Sequence, residues 1–196
     1  MPDLLMQRLQ HCSDLQSVLD CALSRSLEVT GTDLGNVQLM DWQTGYLTIA
    51  AQRRFKDEFL NFFRRVRAET GSACGRAIRE RHSIVIEDVL LDRDYAPYRE
   101  VALEAGYRAV QSTPLISSSG AFVGVLSTHF PAAHRPSASE MLQIRVLGTL
   151  TANAVIRQRV SSVTDPEKIA ERIRRGYEAV DSSRELLRQV SRRLRV

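Results

Sequence analysis

The sequence predicts an α+β fold in which a central antiparallel sheet carries helices on its faces. Two hairpins support this class: alternating apolar residues flank a turn at 41–45, and two longer apolar strands flank Ser117–Gly120. Helical spacing occupies both ends of the chain and the segment between the hairpins. Hairpins separated by helical segments favour an antiparallel sheet with segregated helices over parallel βαβ units.

The N-terminal third is predicted to contain a helix, the first hairpin and a second helix. Leucines at helical spacing predict a helix over Leu4–Leu27 that ends near Gly31. Apolar residues alternate with polar ones over 37–51, on both sides of the turn, which predicts two strands. Aromatic and arginine residues then occupy opposite sides of a predicted helix at Asp57–Arg67.

The middle third alternates short helices with strands. Small residues at Thr70–Gly75 predict a turn that opens a helix reaching Arg81, and an apolar strand follows at Ser83–Glu87. After an acidic loop, a helix is predicted over Pro97–Ala105, closed by Gly106. The strands Tyr107–Ile116 and Ala121–Phe130 form the second hairpin.

The C-terminal part is predicted to be helical. Ser137 and Glu140 form a capping box that opens a helix to about Val163, and Asp165-Pro166 interrupts it before a last helix over Glu167–Leu194. The last helix repeats apolar residues every seven positions, at Ile173, Val180, Leu187 and Leu194. This repeat predicts a coiled-coil seam and a homodimer. The alternative is a solvated amphipathic helix.

Composition limits the class of protein. The 196 residues are 43% hydrophobic, which is enough to build a core and excludes a wholly disordered chain. Three cysteines without Cys-x-x-Cys spacing argue against a disulfide scaffold or a cysteine zinc site and favour a reducing, cytoplasmic setting. The uncharged stretch 109–134 is rich in Ser, Thr and Gly, which predicts two strands rather than a membrane span, and the first 15 residues lack the apolar run of a signal peptide.

Charge is concentrated near the C-terminus. Residues 157–196 carry 11 Lys and Arg against 6 Asp and Glu, whereas residues 1–156 carry 16 against 17. Arginine outnumbers lysine 25 to 2 along the whole chain, which resembles a coding bias more than a basic surface built for nucleic acid. Nucleic-acid binding is therefore not expected.

Residues with potential chemistry are few, and no catalytic or metal-ligating set is predicted. Cys74 lies near a predicted helix start, where a thiolate would be favoured, but a small buried residue is the simpler interpretation. The acidic residues at 87–94 lack the spacing of a calcium loop. His129 falls within a strand, either as a hydrogen-bonded core residue or as a polar anchor in a small-molecule pocket, on a face predicted to include Val123, Val125 and Ser127.

Seven stretches of the sequence carry a recognisable pattern: Leu34–Leu39, Phe59–Phe63, Gly71–Gly75, Val85–Val89, Ala105–Leu115, Gly124–Phe130 and His134–Ser137. In this order they resemble the GAF domain family, most closely the type found in bacterial sensor kinases. The resemblance spans roughly residues 17–160. It implies a sheet of five to six strands, with the first and last helices on one face and a pocket on the other, roofed by short helices and loops of residues 55–106.

The resemblance also implies a function and a set of site residues. The pocket residues expected from the family's layout are Phe55, Cys74, Tyr95, Tyr98, Arg108, Ser112 and His129. The chain is expected to be a non-enzymatic sensory module in bacterial signal transduction, divided into a domain at residues 1–163 and a signalling helix at 164–196. Its expected partners are an unidentified small molecule, a second copy and a signalling kinase or output domain.

Two alternatives remain open on the same fold. One is a thiol or redox enzyme that uses Cys74, and the other is a dimerisation adaptor with a vestigial pocket. Bilin-binding relatives attach the chromophore through a cysteine near the helix predicted at Pro97–Ala105, and no cysteine lies there, so a colourless protein is expected.

Overall fold

The computed structural model describes residue 9 and residues 11–164 of the chain. The elements in chain order are helix α1 (Leu15–Thr30), strands β1 (Leu34–Asp41) and β2 (Tyr46–Arg53), helices α2 (Asp57–Phe62) and α3 (Ala73–Glu80), strand β3 (Ile84–Ile86), a 3-10 turn (Ala96–Tyr98), helix α4 (Arg99–Glu104), strands β4 (Ala109–Ile116) and β5 (Phe122–Phe130), and helix α5 (Ala138–Thr164). The predicted last helix and its heptad seam lie outside the described residues.

The strands form one five-stranded sheet in the order β2-β1-β5-β4-β3, and every neighbouring pair is antiparallel. Both predicted hairpins are present, and the α+β class with an antiparallel sheet is confirmed. At the outer edge of β2, Leu47 and Val66 exchange backbone hydrogen bonds, which adds a single isolated bridge beside the sheet. Within the described part of the chain, no helix is long and apolar enough to cross a membrane.

Local capping explains where the helices begin and end. The Asp14 carboxylate accepts the backbone N–H of Ser17 at 2.8 Å, so α1 begins at Leu15 and not as part of the continuous helix predicted over Leu4–Leu27. Gly31, in the left-handed region at φ 67°, ends α1 as predicted.

Two other helices test the sequence signals. The capping box at the start of α5 is confirmed, since Glu140 accepts the Ser137 N–H and the Ser137 hydroxyl accepts the Glu140 N–H. The helix predicted over Asp57–Arg67 ends at Phe62. The remainder of that segment follows an irregular path in which Val66 bonds to Leu47, so pairing with the sheet edge replaces helical bonds there.

The sheet separates two hydrophobic clusters. On one face, α1 and α5 cover the sheet through residues such as Leu23, Val37 and Leu147. On the other, α2, α3 and α4 cover it through residues such as Phe59 and Ala77. The arrangement of helices expected from the resemblance is therefore present.

The face predicted for His129 needs one correction. Val125 and Ser127 share that face, but Val123 lies in the cluster under α1 and α5. The register between β4 and β5 shifts between Leu115 and Ile116, and such a bulge reverses the alternation of the residues beyond it.

Candidate functional site

A small interior cavity lies between the sheet and the cover formed by α2, α3 and the turn at Tyr95. Its lining residues are Asn36, Gln38, Phe59, Phe63, Ala73, Cys74, Tyr95, Val110, Ser112, Ser127 and His129. Its volume is about 10 Å³. Since a water molecule needs roughly 10–15 Å³ of such space, the cavity is closed to anything larger in this conformation.

A polar row crosses the three central strands on the floor of the cavity. Ser127 of β5 lies opposite Asn36 of β1 on one side and Ser112 of β4 on the other. The Ser112 and Ser127 hydroxyls are 2.7 Å apart and share a hydrogen bond. Asn36 is 3% exposed, and its Oδ1 has no hydrogen-bond partner among the described residues. The alternation of side chains in the sheet therefore places the hydrogen-bonded Ser112–Ser127 pair beside the unpartnered acceptor of Asn36.

His129 continues this face of β5 and is enclosed by aromatic rings. Its imidazole contacts the rings of Tyr107 and Phe55 edge-on, at centroid distances of 4.6 Å and 4.9 Å. Burial lowers the pKa of His129 to about 3, because an apolar enclosure disfavours the imidazolium. The ring is therefore neutral at physiological pH. Its Nδ1 has no hydrogen-bond partner within the part of the chain that the structure describes.

Two buried phenols close one side of the site. The hydroxyls of Tyr95 and Tyr107 are 2.8 Å apart, which satisfies both polar ends inside the core. Burial raises the pKa of each hydroxyl, so both remain protonated. The Tyr98 ring packs against Tyr95 at a centroid distance of 5.2 Å and is half-buried.

The Cys74 thiol lines the cavity in the first turn of α3. The Ser72 hydroxyl caps this helix by accepting the N–H of Gly75, and it lies 3.4 Å from the Cys74 sulfur. Burial is the largest influence on the thiol and raises its pKa, outweighing the Ser72 contact that lowers it. The thiol is therefore protonated, which is the opposite of what an activated nucleophile needs.

Thiol accessibility gives a direct test of this environment. With a disulfide reagent at neutral pH, we expect Cys74 to react about a hundredfold more slowly than Cys12 and Cys21, because it is buried and protonated while they are half-buried. Stopped-flow kinetics of the native chain, with Cys74→Ala to assign the slow phase, measure this. Three thiols reacting at one fast rate would contradict the burial.

The structure brings most of the predicted site residues together. Cys74, Tyr95, Ser112 and His129 line the cavity, Phe55 contacts His129, and Tyr98 contacts Tyr95 without lining the cavity itself. Arg108 is separate from them.

Arg108 points away because it precedes the first residue of β4, and its neighbour Tyr107 takes the inward position. The Arg108 guanidinium instead forms an ion pair with Asp88, with Nη2 and Oδ2 at 2.6 Å, and its side chain is 46% exposed. The guanidinium lowers the pKa of the Asp88 carboxyl.

Several site residues were not among those predicted. Asn36 and Gln38 line the cavity from β1, and the other unpredicted lining residues are Phe59, Phe63, Ala73, Val110 and Ser127. The sequence pattern could have identified Asn36 and Gln38. They alternate with Val37 and Leu39 along a strand, so the two polar side chains lie on the opposite face of the sheet from the two apolar ones. Among the described residues, no group of three or more His, Cys, Asp or Glu side chains lies in a position to hold a metal ion.

Known proteins share this architecture. No curated protein sequence matches the chain significantly. Among solved structures, the GAF domain of a phosphoenolpyruvate-protein phosphotransferase from Coxiella burnetii is 17% identical, covers 83% of this chain and 94% of that one, and has a TM-score of 0.70. At such identity the likeness establishes the fold alone.

Two further solved structures have different described roles. A domain assigned to a two-component sensor histidine kinase from Sinorhizobium meliloti is 16% identical, covers 79% of this chain and 99% of that one, and has a TM-score of 0.63. A free methionine-R-sulfoxide reductase from Neisseria meningitidis, solved with its substrate, is 17% identical, covers 82% and 89% of the two chains, and has a TM-score of 0.66. A family model described as the GAF domain matches residues 12–156. The chain therefore belongs to the GAF domain family.

Proposed function

We propose that this chain is a non-enzymatic sensory module of bacterial signal transduction that binds a small molecule in the interior cavity. The observation that carries the proposal is the pair of unpartnered buried atoms at the cavity, Asn36 Oδ1 and His129 Nδ1. Each is on a side chain at most 4% exposed. An unpartnered buried polar group costs about 1–3 kcal/mol, so two at one site favour a ligand that completes their hydrogen bonds.

A thermal-shift experiment tests ligand binding without knowing the ligand. The full chain is mixed with a protein-free small-molecule extract of bacterial cells, and its melting temperature is compared with that in buffer. We expect the extract to stabilise the wild type by mass action and to have little effect on Asn36→Ala. Asn61→Ala, at an exposed asparagine of α2, is the matched control and should respond like the wild type. Equal responses of all three proteins would contradict the proposal.

The lining of the cavity supports binding rather than catalysis. The Cys74 thiol and the Tyr95 hydroxyl are protonated and His129 is neutral and buried, so none matches the pKa of an efficient acid, base or nucleophile near neutral pH. The methionine-R-sulfoxide reductase shares the fold, but burial raises the pKa of the Cys74 thiol and so disfavours thiol chemistry in this cavity. We assign the module to the cytoplasm, in keeping with three cysteines and no disulfide framework.

We also propose that two copies of the chain pair through α5. The buried side of α5 packs on the sheet, whereas its other side carries Leu142 and Val146, which are 51% and 39% exposed. Leu142, Val146 and Thr149 follow the alternating four-and-three spacing of a coiled-coil seam, whereas further along α5 Asn153 accepts hydrogen bonds from the loop between β4 and β5 and Ile156 packs on the domain's own core. A second copy is the occupant that this spacing fits, because a two-fold dimer pairs such a seam with itself.

The C-terminal segment completes the proposed organisation. We assign residues 1–163 to the sensory domain and residues 164–196 to a signalling helix, through which a kinase or output-domain partner would be reached. Binding in the cavity would then bias the pairing of the helices.

A charge placed in the seam of α5 tests the dimer. We expect Val146→Asp to raise the dimer dissociation constant at least about a hundredfold, because a carboxylate would be buried against apolar side chains. Gln143→Asp places the same charge on an exposed neighbour off the seam and should leave dimerisation unchanged. Sedimentation equilibrium of the full chain measures both. A wild-type monomer at micromolar concentration, or equal effects of the two substitutions, would contradict the α5 interface.

A further inference from the structure

We infer that the interior cavity takes an uncharged molecule about the size of one aromatic ring, which donates a hydrogen bond to Asn36 and enters by displacing the Phe59 ring. This inference rests on the proposed ligand-binding function and goes further by naming the chemical class of the ligand and its route.

The absence of charged side chains in the cavity lining determines which ligands the cavity can hold. None of the residues that line the cavity is Asp, Glu, Lys or Arg. Its titratable members are neutral at physiological pH, because burial raises the pKa of Cys74 and Tyr95 and lowers that of His129. An ion moved into such a site would lose its hydration without gaining a counter-charge, which costs several kcal/mol. The site therefore selects against charged ligands.

Two arginines near the site are already held in ion pairs. Arg108 binds Asp88 at 2.6 Å, and Arg76 of α3 binds Asp92 at 2.9 Å. The first turn of α3 lies at the cavity wall, but the Ser72 hydroxyl already accepts the N–H of Gly75 and caps that end. Drawing any of these groups toward an ionic ligand would first break an existing contact.

The position of Phe59 indicates a route into the cavity. Phe59 lines both the interior cavity and an outer groove of about 350 Å³ that residues of α2 and α4 border, so it is adjacent to the two spaces. The ring stacks on Phe55 at 3.7 Å and is carried by a six-residue helix whose N-cap, Lys56, makes no side-chain capping bond. The Phe59 ring also contacts Tyr107 and His129, so its rotation would exchange these ring contacts for contacts with a bound ring. Rotation of Phe59 outward would join the cavity to the groove and leave a space the size of one ring.

The polar groups on the cavity floor offer hydrogen-bond acceptors to a ligand. Asn36 Oδ1 is an acceptor without a partner, and the Ser112 and Ser127 hydroxyls beside it retain accepting lone pairs beyond their mutual bond. An acceptor-rich floor favours a ligand that carries a donor, such as a hydroxyl or an amine nitrogen in its neutral form.

Four single-ring probes test the inference on the full chain by calorimetric titration at pH 7. Phenol is neutral with a donor, toluene is neutral without one, benzoate is an anion and benzylammonium is a cation. Phe59→Ala opens the proposed route, since engineered cavities of roughly 150 Å³ bind a benzene ring. Phe62→Ala, at an exposed ring of the same helix, is the matched control.

We expect Phe59→Ala to bind phenol at least tenfold more tightly than Phe62→Ala does, and at least tenfold more tightly than it binds either ion. The preference for phenol over toluene should fall severalfold when Asn36→Ala is added. If Phe59→Ala does not fold, Phe59→Leu makes a smaller opening, and phenol should still shift the His129 ring resonances of the wild type.

Each result that differs from these expectations would overturn one part of the inference. Benzoate or benzylammonium binding as tightly as phenol would overturn the ligand class while leaving the site itself standing. Equal phenol affinity in Phe59→Ala and Phe62→Ala would overturn the route. Absence of binding by every probe to every variant, with no shift of the wild-type His129 resonances, would overturn both this inference and the proposed ligand-binding function.

Discussion

Acidification from pH 6.5 to pH 4.5 is expected to reduce the free energy of unfolding by about 2 kcal/mol through His129 alone. The pKa of His129 is about 3 in the folded protein and near 6.5 when unfolded, so between these values the unfolded chain binds the extra proton. The stabilising contribution is therefore complete above pH 6.5, and it is lost as the pH falls toward 3. Urea unfolding at pH 7.0, 5.5 and 4.5 measures this slope.

The comparison that isolates this residue uses two histidine substitutions. His129→Gln removes the buried imidazole and should flatten the acid slope between pH 6.5 and 4.5, whereas His82→Gln, at an exposed histidine, should keep it. Carboxylates such as Asp88, whose pKa Arg108 lowers, weaken the fold in acid equally in all three proteins. An unchanged slope in His129→Gln would mean that the imidazole is not held neutral by burial.

Substitution of Gly124 by alanine is expected to lower the free energy of unfolding by about 3 kcal/mol or more. Gly124 lies in the middle of β5 between Leu39 and Leu115, and a Cβ there would overlap the backbone oxygen of Gln38. The backbone of β1 would have to move, and with it the cavity floor that Gln38 helps to form. Chemical denaturation at neutral pH gives the change.

The matched control is the glycine of α5. A Cβ at Gly148 would contact Thr113 and Pro114 at 3.4 Å, within ordinary packing distance, and alanine favours a helix by up to about 1 kcal/mol. Gly148→Ala should therefore be neutral or mildly stabilising. Similar losses for both alanine variants would show that the close approach at Gly124 is not what requires glycine.

The sequence was sufficient to predict the elements with strong local signals. Period-two alternation located the two hairpins, and the Ser137–Glu140 capping box located the start of α5. Signals that depend on tertiary contacts were not visible. Backbone bonds between Val66 and Leu47 replace helical structure after Phe62, although the helical spacing of apolar residues continues to Val66.

The candidate site was predictable in part for the same physical reason. Family layout and strand alternation brought His129, Ser112 and Tyr95 to one cavity. The predicted positions of Arg108 and Val123 were wrong because a shift of one residue reverses the face of the sheet on which a side chain lies. Val123 lies beside the register shift between β4 and β5, and Arg108 lies just before β4, where it pairs with Asp88. The cavity is closed because aromatic rings stack over it, as Phe55 stacks on Phe59. Such stacking cannot be predicted from the spacing of residues in the sequence.

Native mass spectrometry of the full chain after incubation with a bacterial small-molecule extract shows whether the interior cavity holds a ligand. We expect one bound small molecule per chain in the wild type and in Asn61→Ala, and none in Asn36→Ala, where the acceptor at the cavity floor is missing. The same bound mass in all three proteins, or in none of them, would contradict the assignment of the interior cavity as the ligand site.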